Sequence, residues 1–399
     1  MVHLIFKSGE NTMRPIFYSG DDLYYRKITF GQVKTNDIVI INKDRRIIAH
    51  RVIYKNSRYI VTKGDSNLKS DGKIYPGNLT ARVVKIKRDR NIFRPEDIYL
   101  SQSTVYFNEI VRIKKEFEEK GIDFVFLKGL PLHLYIEKSH PKRLYFDCDV
   151  LIKENDYSNA EKILLGHGYK QADSRRKKNP FEITYNKIIN GFMVSFDLHL
   201  KAVFTMTRLD RINALYPQKL IDQLTSDMLR TKRPIKIYGE SFFILNSQYL
   251  IIYLALHFFH HGFRGAFRLE LLAKIISLTA RNKYLWFGLT DKILKYHLQN
   301  FVYPVFVLLI KYYKTPIPKR FLVSVQSLSF LPKYLSSRIY NRGDIFDDIP
   351  LAKSLINRFM NLFFLSPSPV WKKLQVMLYP RVLYMIFWTL WKRQSANIS

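Results

Sequence analysis

The sequence predicts an α+β protein in three parts: a small all-β domain over residues 1–92, an α/β core over 93–216 and a helical C-terminal region over 217–399. Three observations lead there. Short β-branched alternations punctuated by Gly, Asn and Asp fill the first part. Strand-length apolar runs alternate with helix-period stretches through the middle. Beyond residue 217 the sequence reads as helices joined by Pro-containing links, with no strand alternation and no internal repeat.

In the first part the strand runs are Asp37–Asn42, Ile47–Ile53 and Tyr59–Thr62. A basic run from Lys85 to Arg94, closed by Pro95, separates them from Asp97–Lys120, where apolar and charged residues recur with a helical period. Then come a strand at Phe124–Leu127, a helix at Pro131–Glu137, a strand at Asp147–Ile152, a helix at Tyr157–Leu165 and a strand at Met193–Leu200.

Leu250–Phe259 and Phe301–Ile310 are apolar but interrupted on both sides by polar groups, which favours core helices over membrane spans. Val376–Trp391 is aromatic and apolar, broken by Pro380 and Arg381 and closed by Lys392 and Arg393. That pattern suits either a helix packed on its own domain or peripheral contact with a lipid interface.

The chain carries 65 Lys and Arg against 33 Asp and Glu, a net charge of +32, so its partners are expected to be anionic. No single tail holds the excess: residues 1–100 have 20 basic and 10 acidic groups, and residues 301–399 have 14 and 3. Cys148 is the single cysteine, which excludes an intrachain disulfide and a cysteine-based zinc site and suits a reducing cytoplasm. The start offers only Val2–Phe6 as an apolar stretch, too short for the core of an export signal, and a cytoplasmic location is expected.

Asp147 and Asp149 flank Cys148, and strand periodicity puts both carboxylates on one face. Asp197 sits in a second strand-like stretch, where burial without a partner or metal would cost several kcal/mol. Three carboxylates converging from neighbouring strands suit magnesium, a hard cation that bridges phosphates. The implied chemistry is phosphoryl or nucleotidyl transfer. His257, His260 and His261 fall on one helix and read either as core and cap histidines or as a metal site.

The order of Phe124–Gly129, Arg143–Asp149, Ala160–Tyr169 and Phe196–His199 resembles a family of uncharacterised bacterial nucleotidyltransferases over roughly residues 105–285. Lys128, Gly129, Arg143, Asp147, Asp149, Asp197 and His199 match its pattern, as do Leu250–His257, His260–Gly262, Arg264 and Arg268–Leu272. Glu270 stands where the family usually has Asp, and no Ser follows Gly129. The resemblance implies a magnesium site at Asp147, Asp149 and Asp197, with Asp197 completing it or acting as base. Substrate contacts would come from Lys128, Gly129, Arg143 and His199. The donor would be a nucleoside triphosphate, and the acceptor a protein, a peptide, an RNA or a small molecule.

Gly9–Pro15, Gly20-Asp21, Asn36–Ile40, Ala49–Ile53 and Thr62–Asn67 resemble the signal-peptidase fold, over about residues 1–90. Thr12 stands where that family has its nucleophilic Ser. His50 is placed as general base, with Asp65 or Asp71 to orient it. The extra methyl of Thr crowds a nucleophile, so a peptide-binding or self-regulating module is favoured over a peptidase. A β-domain with an incidental His50 and Asp65 stays an alternative, as does a chain whose two sites have both decayed into ligand recognition.

Overall fold

The computed structural model describes residues 4–7, 11–172, 181–202, 215–326, 329–342, 345–348, 351–380, 382–384 and 387. An eight-stranded antiparallel sheet forms first, from β1 (Leu4–Lys7), β2 (Asp22–Arg26), β3 (Ile38–Lys43), β4 (Arg46–Lys55), β5 (Ile60–Lys63), β6 (Lys73–Ile74), β7 (Leu79–Arg88) and β8 (Asn91–Phe93). The strands run in the order β1-β2-β7-β3-β4-β5-β6, with β8 paired to β7.

Both faces of this sheet are covered, which explains why β3 reads Ile-Val-Ile-Ile rather than alternating with polar residues. Ile38 and Ile40 pack with Met13, Phe17, Ala81 and Tyr99 on one side; Val39 and Ile41 pack with Val52, Ile60 and Ile74 on the other.

The long helix α1 (Pro95–Glu119) leads into a mixed sheet with its helices. These are β9 (Phe124–Phe126), α2 (Leu130–Glu137), β10 (Cys148–Ile152), α3 (Tyr157–Gly166), β11 (Lys170–Gln171), β12 (Glu182–Ile189), β13 (Phe192–His199), α4 (Gln218–Arg230), β14 (Arg233–Ile237) and β15 (Glu240–Ile244). The strand order is β11-β12-β13-β10-β9-β15-β14, with β10–β13 and β9–β15 parallel and the other pairs antiparallel. The molecule is thus α+β, an all-β region followed by a mixed sheet with helices.

The hairpin β14–β15 lies inside the stretch expected to be wholly helical. Its strands are only five residues each, too short for a period to stand out, and pairing of Ile244 with Phe126 of β9 draws them into the sheet. β12 carries no strand signal in the sequence either, because its mostly half-buried positions do not alternate.

Among the described residues eight further helices follow: α5 (Ser247–His260), α6 (Ala266–Thr279), α7 (Lys283–Lys295), α8 (Gln299–Tyr313), α9 (Lys319–Ser324), α10 (Phe330–Arg342), α11 (Leu351–Leu365) and α12 (Val370–Met377). α5 is apolar almost all round and is correspondingly buried almost all round, from Tyr249 to Phe259. Among the described residues no helix is long and apolar enough to cross a membrane.

Candidate active site

Two strands that meet in parallel set the site. β10 and β13 pair so that Asp149 stands opposite Asp197, with Thr184 of β12 on the far side of Asp197. Asp147 lies just ahead of β10 rather than inside it; its side chain is 46% exposed while that of Asp149 is 4% exposed. One carboxylate oxygen of each of Asp147, Asp149 and Asp197 falls within 4.8 Å of the others.

Each acid is held differently. Asp149 Oδ1 lies 3.0 Å from His199 Nε2. Its Oδ2 is buried and ion-paired with Lys128 Nζ at 2.5 Å. Asp147 Oδ2 accepts from Lys128 Nζ at 2.8 Å, and Asp197 Oδ1 accepts from Thr184 Oγ1 at 2.6 Å. Burial would raise the pKa of Asp149, but the Lys128 charge and the His199 hydrogen bond outweigh it and bring it down to about 2. Asp197 goes the other way: burial and the neighbouring Asp149 charge lift it to about 7 against the Thr184 hydrogen bond. Burial alone would lower His199, yet its bond to Asp149 leaves it raised.

Three carboxylates this close, two of them balanced only by the Lys128 ammonium and His199, fit a hard divalent cation by donor set and by charge. Lys128 is the cation now among them.

Gly129 turns the chain from β9 into α2 with φ 93° and ψ −156°, backbone that only Gly adopts freely; a Cβ there would come within 3.2 Å of the Asp147 carbonyl. The segment carrying Arg143 is pinned from two directions. Gln102 of α1 donates to the Tyr145 carbonyl and accepts from its N–H, and Arg51 of β4 donates to the Lys142 carbonyl at 2.9 Å.

Two cavities flank this arrangement and share Lys128, Asp147, His257 and His261. One, of about 230 Å³, holds the three acids with His199, His260 and Arg358. The other, of about 270 Å³, is bordered by Gly129, Arg143 and Arg268. Arg143 lies 4.4 Å from the Tyr145 ring and 4.6 Å from that of Phe267, and Arg268 lies 4.4 Å from the same Phe267 ring. Arg268 Nε is buried without a hydrogen-bond partner. Burial pushes its guanidinium down to about 10. This cavity is built for negative charge.

All seven residues matched to the central pattern therefore come together. Thr184, Arg268 and Arg358 join them, three residues that sequence pattern alone does not mark as site residues. Arg268 sat in a matched block without a role, whereas Thr184 and Arg358 carry no local signal and reach the cavity only through β12 and α11. Glu270 pairs with Lys274 at 3.1 Å and borders neither cavity. The histidines are neutral: burial lowers all three, with His260 down to about 3 as it accepts from Arg358 at 2.8 Å.

In the first sheet, Thr12 Oγ1 lies 2.9 Å from His50 Nε2, and His50 Nδ1 lies 2.7 Å from Asp71 Oδ2, which also accepts from Thr62 Oγ1 at 2.7 Å. Asp71, not Asp65, orients the imidazole. Asp65 is taken by Arg51 through two bonds of 2.7 and 2.6 Å, because the buried guanidinium needs a counter-charge. Ser66 N donates to the Thr12 carbonyl at 2.8 Å, a close approach that Gly64 permits, since a Cβ there would meet Thr12 at 2.9 Å. Gly9 and Glu10 lie outside the described residues.

A family described as uncharacterised nucleotidyltransferases matches residues 96–314, more than half of the chain and the stretch that carries β10, β13 and all three acids. The chain belongs to this family. Membership of this family supports a nucleotidyltransferase activity, and the three-acid cluster is compatible with the divalent metals such enzymes generally use. Among solved structures, the chain is similar to an antigenic nucleotidyltransferase-like protein from Paracoccidioides brasiliensis, with 13% identity, 49% of this chain and 88% of that chain covered, and a TM-score of 0.30. No curated protein matches.

Proposed function

We propose that the chain moves a nucleotidyl group from a nucleoside triphosphate to an acceptor, with magnesium held by Asp147, Asp149 and Asp197. The observation that carries this reading is the meeting of the three acids, one oxygen of each within 4.8 Å of the others, beside a cavity bordered by Gly129, Arg143 and Arg268. When bound, the magnesium ion neutralises charge on the phosphates and on the departing pyrophosphate. Lys128, Gly129 and Arg143 hold the triphosphate, Gly129 by offering backbone without a side chain. His199 fixes Asp149 through Oδ1 and so aims Oδ2. The acceptor attacks the α-phosphorus, its proton passes to Asp197, and pyrophosphate leaves.

The test is label transfer from α-labelled triphosphates with magnesium, comparing the native chain with Asp147→Ala/Asp149→Ala, using the protein itself, bulk RNA and cell extract as acceptors. Transfer that disappears in the double variant supports the reading. No binding of any triphosphate to the native chain overturns it.

A second reading has its own observation, the Thr12–His50–Asp71 chain of hydrogen bonds. With Nδ1–H donating to Asp71, Nε2 is left as acceptor for the Thr12 hydroxyl, the arrangement of an acyl-transfer nucleophile. We propose a signal-peptidase-like unit that either cleaves or holds a peptide. Labelling of Thr12 by a fluorophosphonate, lost in His50→Ala, supports cleavage; peptide binding with no labelling of the native chain leaves recognition as its role.

A further inference from the structure

The helix α12 wears its side chains inside out. Val370, Trp371, Leu374 and Leu378 recur at helical spacing along one stripe, and all face solvent, Trp371 at 62% and Leu378 at 72% exposure. Its underside is Val376, fully buried, and Lys373, whose ammonium donates to the Phe364 carbonyl at 3.3 Å. The exposed apolar run continues past the helix through Leu383, Tyr384 and Phe387. So many large apolar groups in one short stretch mark an interaction surface rather than scattered surface residues.

Charge says which kind. Residues 370–399 contain five Lys and Arg and no Asp or Glu. Lys372 sits beside the stripe, its ammonium 5.4 Å from the Trp371 ring. A partner must therefore accept aliphatic and aromatic side chains and present negative charge next to them. Nucleic acid gives the charge but stacks only on rings, and Val370, Leu374, Leu378 and Leu383 offer none. An anionic bilayer offers both, hydrocarbon for the stripe and headgroup phosphates for the cations. We propose that this C-terminal face docks the protein on the surface of an anionic lipid bilayer, lying in the interface without crossing it.

The proposal is separate from the carboxylate site and stands or falls without it. The test is co-sedimentation of the full chain with phosphatidylcholine vesicles, with and without phosphatidylglycerol. Binding is expected only to the anionic vesicles, weakened by salt, and reduced at least about tenfold in Trp371→Ser/Leu374→Ser/Leu378→Ser. Those positions are exposed, so circular dichroism and the thermal midpoint should be unchanged. Phe287→Ser, exposed on α7, is the control that keeps binding. Equal sedimentation of native and triple variant overturns the proposal. So does concentration-dependent self-association that the triple variant abolishes while vesicles are ignored, which would assign the stripe to a second copy of this chain.

Discussion

Asp149 and Asp197 stand opposite each other in register across the parallel strands β10 and β13, and their surroundings shift the two carboxyl pKa values in opposite directions, Asp149 down and Asp197 up. Lys128 and His199 serve Asp149, which leaves Asp197 with a like charge beside it and one hydroxyl to offset it. A divalent cation between them would satisfy both. Asp149→Asn should therefore abolish manganese binding, read by electron paramagnetic resonance, and lower transfer by about a hundredfold or more. Unchanged manganese affinity would show that the acids serve another purpose.

Lys128 competes for the same place. Its ammonium lies 2.8 Å from Asp147 and 2.5 Å from Asp149. Lys128→Met should tighten divalent-cation binding in the absence of nucleotide while lowering transfer at least about tenfold, since a phosphate contact is lost. Weaker cation binding in this variant would mean that Lys128 helps to hold the acids in place rather than occupying the cation's position.

Gln102 holds both backbone groups of Tyr145, two residues from Arg143 and from Asp147. Gln102→Leu leaves a buried N–H and carbonyl unpaired, a loss of about 1–3 kcal/mol in a urea unfolding curve. The freed segment should also raise the KM for triphosphate more than it lowers kcat. An unaltered KM would argue that Arg143 does not reach the substrate.

Gly129→Ala meets the Asp147 carbonyl at 3.2 Å and a backbone conformation costly by about 1–3 kcal/mol for other residues. Transfer should fall steeply while the far-ultraviolet dichroism is retained. Full activity would place the triphosphate elsewhere.

Asp227 ties α4 to α7. Burial would raise its pKa, but hydrogen bonds from Tyr296, Lys295 and Arg230 outweigh it and hold the carboxyl well below the ordinary 3.8. A depressed folded pKa contributes stability that is present above the unfolded value and lost as pH falls through it toward the folded one. Urea midpoints of the native chain should drop as the pH is taken below about 4, and those of Asp227→Asn should start lower and drop less. Parallel curves would show that the network does not couple to folding.

The sequence by itself determined that an all-β region precedes a mixed α/β part, and it named the three acids that meet at the candidate site. Asp147, Asp149 and Asp197 could be named because strand periodicity and an acid in an apolar run are local signals, fixed by side-chain alternation and the cost of burying charge. The strands Cys148–Ile152 and Phe192–His199 were legible for the same reason. What only the tertiary structure decided is who meets whom. β14 and β15 alternate over only five residues each, too few to distinguish a strand from a helix end, and it is pairing of Ile244 with Phe126 of β9 that ties the hairpin to the sheet. His50 turns to Asp71 because Arg51, one residue on and on the opposite face, claims Asp65. Arg268 and Thr184 reach the site from elements separated from Asp149 by long stretches of chain. Such pairings are set by packing and by competition among charges for partners, quantities that exist only once the chain has closed on itself.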